Sequence, residues 1–347
     1  MKGARFVHWL WQAGPAAALT RLPLVPFALL YQAAMRLRVA AYRRGLLTTH
    51  RLPLPTVAVG NLSVGGTGKT PLAAWIARHY AGRGHRPGIL LRGYGADEPL
   101  VHRRLVPEGV VVADRDRAAG AAQARAAGAE VLVLDDAFQL LAVARDLNIA
   151  VVSAESAVAS PWPLPAGPWR EGWDALGRAD VLVVTRKHAA PDAAAALARR
   201  LEQRWVDGKR GPTLVCVASL AVSHLEGMRS AAHVALRVLG GRRVLAAAGI
   251  ADPESFAVQL RGLGAMVQLQ AYQDHHAYDR ADIARLVRGS AEADYVVVTE
   301  KDAVKLRGRW PEDAPEPLVA GLTVRWEHNG VALERALDAV LASAGRL

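Results

Sequence analysis

The stretch VAVGNLSVGGTGKTP, residues 57–71, constrains this chain more than any other. A short apolar run leads into a glycine-rich turn, and Lys69 and Thr70 then open an alanine-rich segment of helical character. Strand, turn and helix in that order make a phosphate cradle. Glycines let successive backbone N–H groups converge on phosphate oxygens, and the helix N-terminus adds the positive end of its dipole. Lys69 then reaches the β- and γ-phosphates, and Thr70 offers its hydroxyl to Mg2+. The strict GxxxxGK[ST] pattern wants glycine where Ser63 stands, yet Gly65, Gly66, Thr67, Gly68, Lys69 and Thr70 preserve its core.

From residue 56 to about 219 the same alternation continues. Strand-like runs at 56–60, 88–91, 131–136, 149–153 and 181–185 are continuously apolar and β-branched, as strands covered on both faces are. Helical spacers at 71–82 and 114–127 suit right-handed crossovers. The fold class is therefore α/β: a P-loop (RecA-like) parallel sheet with helices on both faces, and the cradle at the carboxyl end of the first strand, where such sheets bind ligands. A smaller C-terminal α/β lobe is expected beyond it. It has a strand at 243–250, a helix capped by Asp252 with Pro253 at its first position, a helix at 279–289, a strand at 295–302 and a final helix at 330–345. The expected division is 1–50, an N-terminal membrane-associating helical segment; 51–222, the P-loop core; and 223–347, the C-terminal lobe.

The first 50 residues differ from the rest. Trp9, Trp11 and an apolar run of about 14 residues from Leu22 are followed by Arg36, Arg38, Arg43 and Arg44. Pro23 and Pro26 interrupt the run, which falls short of the ~20 residues needed to span a bilayer. Aromatics, aliphatics and flanking arginines suit a helix in the membrane interface, its cations among anionic headgroups. A helix buried against the core and a short spanning helix are the alternatives. Lys and Arg outnumber Asp and Glu by 11, which favours an anionic partner. The single cysteine, Cys216, excludes an intramolecular disulfide and a cysteine-cluster metal site.

Several polar groups gather at the strand ends. Asp135 and Asp136 close the third strand-like run, where Mg2+ or its waters would need an acidic ligand. Gln139 follows and is able to orient a substrate or a phosphate. Arg92, Gly93 and Tyr94 end the second run, with Asp97, Glu98 and Pro99 just beyond; the acidic pair is either a proton acceptor for an attacking hydroxyl or a solvated turn. The loop PLPAGPWREGW, residues 163–173, brings Arg170 and Glu171 to the same edge. In the run DHHAY, two adjacent histidines point in different directions and make a poor chelate, but Asp274 could fix a tautomer for proton transfer. Lys301, Asp302 and Lys305 end the strand at 295–302, as anion binders or as a charged strand end.

In this order the motifs VGNLSVGGTGKTP, RGYG, DEP, DD-x-F-Q, LPAGP-x-RE, AAGIADPESF, DHHAY and TEKDAVK resemble the tetraacyldisaccharide 4′-kinase family, nearly end to end. The resemblance implies transfer of the γ-phosphate of ATP to the 4′-hydroxyl of a lipid-linked glucosamine disaccharide, with 51–222 as the kinase core. It implies ATP on Ser63, Val64 and Gly65 to Thr70, with Lys69 neutralising phosphate charge. Mg2+ would lie on Thr70, Asp135, Asp136 and Glu171, and substrate contacts would come from Arg92, Tyr94, Gln139 and Arg170. Asp97 and His275 match the pair that activates the hydroxyl; because the histidine comes from the second lobe, the lobes would have to close over the substrate. Three departures stand out: Gly95 is followed directly by Ala96 and Asp97 where the family has some twenty residues more, Ala137 and Leu140 replace the glycine and histidine of DDGFQH, and Leu91 replaces a serine.

The resemblance also implies the cytoplasmic face of the inner membrane as the working surface, with no nucleic-acid partner and no indication of oligomeric state. Competing readings are a P-loop kinase of another lipid or sugar hydroxyl, and a nucleotide switch of the metallochaperone or partitioning type. A nucleic-acid-binding ATPase is favoured by charge alone, without an aromatic-basic motif.

Overall fold

The computed structural model describes residues 7, 9–11, 14–93, 97–158, 162–206 and 211–344. The chain divides into two compact units. The first comprises Met1–Tyr94, His102–Ser219 and Trp326–Leu347; the second comprises Gly95–Val101 and Leu220–Arg325.

Unit 1 opens with α1 (Pro15–Arg21), a 3-10 turn (Leu22–Leu24) and α2 (Val25–Arg43). Together they make a continuous helical stretch of 29 residues, long and apolar enough by length and composition to cross a membrane, with 11% of its apolar window buried. Pro23 interrupts the α-helical pattern with the 3-10 turn, as expected, whereas Pro26 does not break α2. Each lies in the first turn of its element, where a missing N–H has no helical acceptor to lose. Leu19, Leu22, Phe27, Leu29, Leu30 and Leu37 are exposed along it.

The sheet of unit 1 contains β1 (Thr56–Asn61), β2 (Pro87–Leu91), β3 (Val110–Ala113), β4 (Val131–Leu134), β5 (Leu147–Ser153), β6 (Val181–Arg186) and the first residues of β7 (Leu214–Gly227). Their order is β7-β6-β5-β1-β4-β2-β3, and every pairing is parallel. All residues of β1, β2, β4 and β5 are buried, which is why these strands read as apolar runs and not as an alternation. After β1 comes α3 (Lys69–Gly82), which buries Leu72, Ala73, Ile76, Ala77 and Tyr80. After β2 comes α4 (Asp97–Leu105), a helix and not a solvated turn. Its acidic first turn and basic last turn complement the helix dipole. Helix α5 (Arg117–Ala126) precedes β4, and α6 (Pro191–Leu201) follows β6.

In unit 2 the chain adds the short strand β8 (His233–Val234), antiparallel to β7. Strands β9 (Arg243–Ala248), β10 (Met266–Ala271), β11 (Tyr295–Thr299) and β12 (Leu318–His328) lie in the order β10-β9-β11-β12, with parallel pairings throughout. Helices α7 (Pro253–Gly262), α8 (Arg280–Ser290) and α9 (Glu300–Leu306) connect them. Asp252 caps α7 by accepting from the backbone of Ser255, and Asp279 and Asp282 close a capping box on α8. The strand expected over 295–302 stops at Thr299, whose side chain accepts from the backbone of Asp302 and starts α9. Lys301, Asp302 and Lys305 are therefore helical residues, not a strand end.

The chain then returns to unit 1 as α10 (Gly330–Ala344). Leu333, Leu337 and Val340 form its buried face. The Tyr80 hydroxyl of α3 donates to the Leu337 carbonyl at 3.0 Å, and His79 and Arg83 meet Asp338 at 2.9 and 3.1 Å. The final helix thus groups with the P-loop sheet, although its residues fall within the stretch 223–347 that sequence assigned to the C-terminal lobe.

Candidate active site

The cradle is held at both ends by one side chain. Asn61, the last residue of β1, donates from Nδ2 to the Ser63 carbonyl and to Thr67 Oγ1, each at 2.8 Å. Thr185 at the end of β6 donates to the Thr67 carbonyl at 2.8 Å. Ser63 and Thr67 are buried by these bonds, whereas Val64, Gly65 and Gly66 face outward. Gly68 caps α3 at φ 91°, a left-handed conformation that a side chain would resist. Gly60 is needed for a different reason: a Cβ there would come within 2.5 Å of the Phe138 backbone nitrogen.

The loop carrying Arg170 and Glu171 runs along the cradle. Val64 N–H donates to the Pro168 carbonyl at 2.7 Å and Arg170 N–H to the Leu62 carbonyl at 2.6 Å, flanking a bridge between Ser63 and Trp169. Backbone pairing places Arg170 where its guanidinium meets both carboxylate oxygens of Asp136, at 3.0 and 3.1 Å. Lys69 Nζ lies 3.6 Å from the same carboxylate. Gln139 donates to the Asn61 carbonyl at 2.8 Å and receives Arg170 at 3.4 Å. Five of the expected residues, Lys69, Asp135, Asp136, Gln139 and Arg170, therefore gather at the ends of β1 and β4.

The two aspartates differ sharply. Asp136 sits at φ 53°, an uncommon conformation for a residue with a side chain, and is partly exposed. Asp135 is buried; its Oδ2 lies 2.9 Å from Nε2 of the buried His102, and its Oδ1 has no hydrogen-bond partner among the described residues. Burial alone would raise its carboxyl. The hydrogen bond and charge of His102, with Lys69 and Thr70 nearby, outweigh that and hold it below the ordinary carboxylate range. A charged carboxylate that interacts with Lys69 and Thr70 and keeps one oxygen without a partner among the described residues fits a hard cation or its bound water. Glu171 is not available in the same way, because Arg178 holds both its oxygens, at 2.7 and 2.8 Å. No group of three or more His, Cys, Asp or Glu able to hold a metal gathers among the described residues. Protein ligands here would accordingly be few, as they are for Mg2+, with phosphate and water completing the shell.

A second constellation lies in unit 2. His275 adopts φ 59°, and its Nδ1 lies 3.0 and 3.1 Å from the two oxygens of Asp97 at the start of α4. Lys305 Nζ stands 3.7 Å from Asp97 and 3.1 Å from Asp302, and Lys301 lies 3.6 Å from Glu98. Burial would raise the Asp97 carboxyl; the bond and charge of His275, then Lys305 and Lys301, hold it below the ordinary range. Nε2 lies 3.9 Å from Glu98 and 3.8 Å from Asp274, beyond hydrogen-bond reach of either, and is the ring nitrogen not bonded to Asp97. His276, the adjacent histidine, turns to Asp282 at 2.7 Å and anchors the loop to α8. Arg92 is exposed at the end of β2, and Tyr94 lies outside the described residues.

Sequence reasoning missed His102, as it missed the pairing of Glu171 with Arg178. A histidine in the basic run HRR reads as solvated, and nothing nearby points to Asp135, 33 residues further on.

A glycine cradle after the first strand of a parallel sheet, Lys-Thr at the head of the next helix and a buried aspartate beside them define a P-loop nucleotide-binding protein. A family model described as tetraacyldisaccharide-1-P 4′-kinase matches residues 20–99 and 96–342. Curated tetraacyldisaccharide 4′-kinases from Anaeromyxobacter sp. (strain K) and Pelobacter propionicus are 37% and 38% identical to this chain. The alignments cover 99% and 86% of it, and 97% and 87% of the relatives. A crystal structure of the apo form of LpxK from Aquifex aeolicus, in complex with ATP, superposes with a TM-score of 0.72 at 27% identity, covering 93% of this chain and 99% of that one. The chain belongs to the tetraacyldisaccharide 4′-kinase family.

Proposed function

We propose that this protein transfers the γ-phosphate of ATP to the 4′-hydroxyl of a tetraacyldisaccharide 1-phosphate, giving lipid IVA. ATP as donor is supported by the ATP-bound relative and by the intact cradle. In this reading, backbone N–H groups from Ser63 to Thr70 bind the phosphates, and Lys69 neutralises charge that grows on the oxygen between the β- and γ-phosphates. Thr70, Asp135 and Asp136 would hold Mg2+, which supplies Lewis-acid charge to the transferring group. Arg170 orients Asp136 and, with Gln139, closes one wall. Arg92 and Tyr94 are assigned to the substrate side.

The observation that carries the reading is the His275–Asp97 pair, since a switch that only hydrolyses nucleotide needs no group to activate an alcohol. Asp97 accepts from Nδ1 and fixes the tautomer. Nε2 then takes the proton of the 4′-hydroxyl as the oxygen–phosphorus bond forms, and ADP leaves with the electron pair of the broken bond. The exposed apolar helix at 15–43, with its arginines, suits an enzyme working on a lipid at the cytoplasmic face of the inner membrane.

The test is phosphate transfer from radiolabelled ATP to purified disaccharide precursor in detergent micelles, comparing the native protein with Asp97→Ala. Labelled lipid from the native protein alone is expected. Lipid labelled equally by both would remove Asp97 from activation of the hydroxyl, and ATP hydrolysis without labelled lipid would overturn the kinase reading in favour of a switch.

A further inference from the structure

Helix α4 carries two chemically useful side chains, and the proposed function employs only the first. Asp97 opens the helix; His102 lies on its buried side, wholly inaccessible to solvent, with Nε2 2.9 Å from Asp135 Oδ2. The Nδ1 atom of His102 has no partner among the described residues, nor has the Oδ1 atom of Asp135. The direction of the bond follows from the partner: a carboxylate accepts and cannot donate, so Nε2 carries a proton and donates it to Asp135.

That single bond has a geometric consequence. A carboxylate at a strand end can rotate about its last side-chain torsion and exchange its two oxygens. Held by His102, Asp135 keeps Oδ2 turned towards α4 and leaves Oδ1 as its second oxygen, while Lys69 and Thr70 act on the same carboxylate. A buried charged oxygen without a donor is unfavourable in the protein by itself, and a cation or a cation-bound water relieves it.

We propose that His102 is a positioning residue for the divalent cation: it holds the Asp135 carboxylate in the one orientation that presents Oδ1 to Mg2+ or its bound water. The proposal rests on the phosphotransferase reading, in that Mg2+ accompanies the nucleotide. Partners of this kind, one bond removed from the ion, commonly change metal affinity by about 10–100-fold when lost. The His102 side chain is wholly buried against Asp135, so its loss is expected to act on the metal-dependent part of binding.

The measurement is calorimetric binding of ADP to the full-length protein, with Mg2+ and with EDTA, for the native chain, His102→Phe and His102→Gln. Native protein is expected to bind ADP more tightly with Mg2+. His102→Phe, similar in size but lacking a donor, is expected to lose about tenfold or more of that enhancement, with ADP affinity in EDTA retained as evidence that the cradle is folded. His102→Gln, whose amide N–H reaches the same oxygen, is expected to recover most of it. If His102→Phe does not fold, His102→Gln is compared with the shorter His102→Asn, and the enhancement should survive only in the first. Equal enhancement in all folded variants overturns the role of His102 and leaves the kinase reading intact. Native protein that gains nothing from Mg2+ overturns the metal assignment itself.

Discussion

Two of the histidine–aspartate pairs among the described residues are nearly equal in length and have very different surroundings. His102 and Asp135 meet at 2.9 Å with side chains 0% and 3% exposed, whereas His275 and Asp97 meet at 3.0 Å with 38% and 4%. In the first pair neither ring nitrogen reaches solvent, so the histidine can only hold its partner. In the second the aspartate is buried and the histidine is not, so the carboxylate aims the ring and Nε2 remains accessible to a reactant. The same two residue types therefore serve support in one place and proton transfer in the other, and accessibility of the second ring nitrogen separates the roles.

The largest expected effect breaks the accessible pair. Asp97→Ala or His275→Ala should lower the rate of phosphate transfer by about 10²–10⁴-fold with ATP affinity retained, measured in single-turnover assays on the lipid. A rate within experimental error of native would remove proton transfer from this pair.

Stability should rank the pairs in the opposite order. Truncating His102 to Ala strands a buried carboxylate and should cost about 3–5 kcal/mol in urea unfolding. His275→Ala should cost less than about 1 kcal/mol, because its ring is partly hydrated already. Similar losses for both would erase the distinction between the pairs.

Acid provides a finer test. The folded Asp97 carboxyl titrates below its unfolded value, so its stabilising contribution is complete above the ordinary carboxylate range and disappears as pH falls through the depressed value. The stability gap between native protein and Asp97→Asn should be widest at neutral pH and should close below about pH 4. A gap independent of pH would mean that Asp97 is not held charged by its neighbours. The smallest effect is expected from Lys305→Met. Removing a cation 3.7 Å from Asp97 should move the pH at which that stability gap closes upward, by about one unit or less, because the carboxylate protonates more readily. A downward shift would contradict the electrostatics described for this pair.

Much of this arrangement is legible in the amino-acid sequence. The strands announce themselves because both faces are covered, and Lys69, Asp135 and His275 lie in local patterns whose chemistry is short-range in sequence. What escapes is of three kinds. Pro26 looks like a helix breaker in isolation, yet the first turn of a helix tolerates proline. The strand expected to run through Asp302 ends at Thr299, and the signal is present: threonine followed three residues later by an acid is a capping pattern, here obscured by the apolar run before it. The role of His102 is invisible because burial is a property of the tertiary neighbourhood. Its neighbours in sequence are arginines, and the carboxylate that explains it comes from a different strand.

The return of α10 to the P-loop unit also bears on how the protein is made. The hydroxyl of Tyr80 waits for the carbonyl of Leu337, a partner 257 positions later. At ribosomal speeds of 5–20 residues per second, that interval is roughly 10–50 s. During it, the alanine-rich helix behind the cradle has left the ribosome without its final cover, while the whole of unit 2 is synthesised in between. A newborn chain would thus present an apolar helical surface until Leu337 and its neighbours have been synthesised.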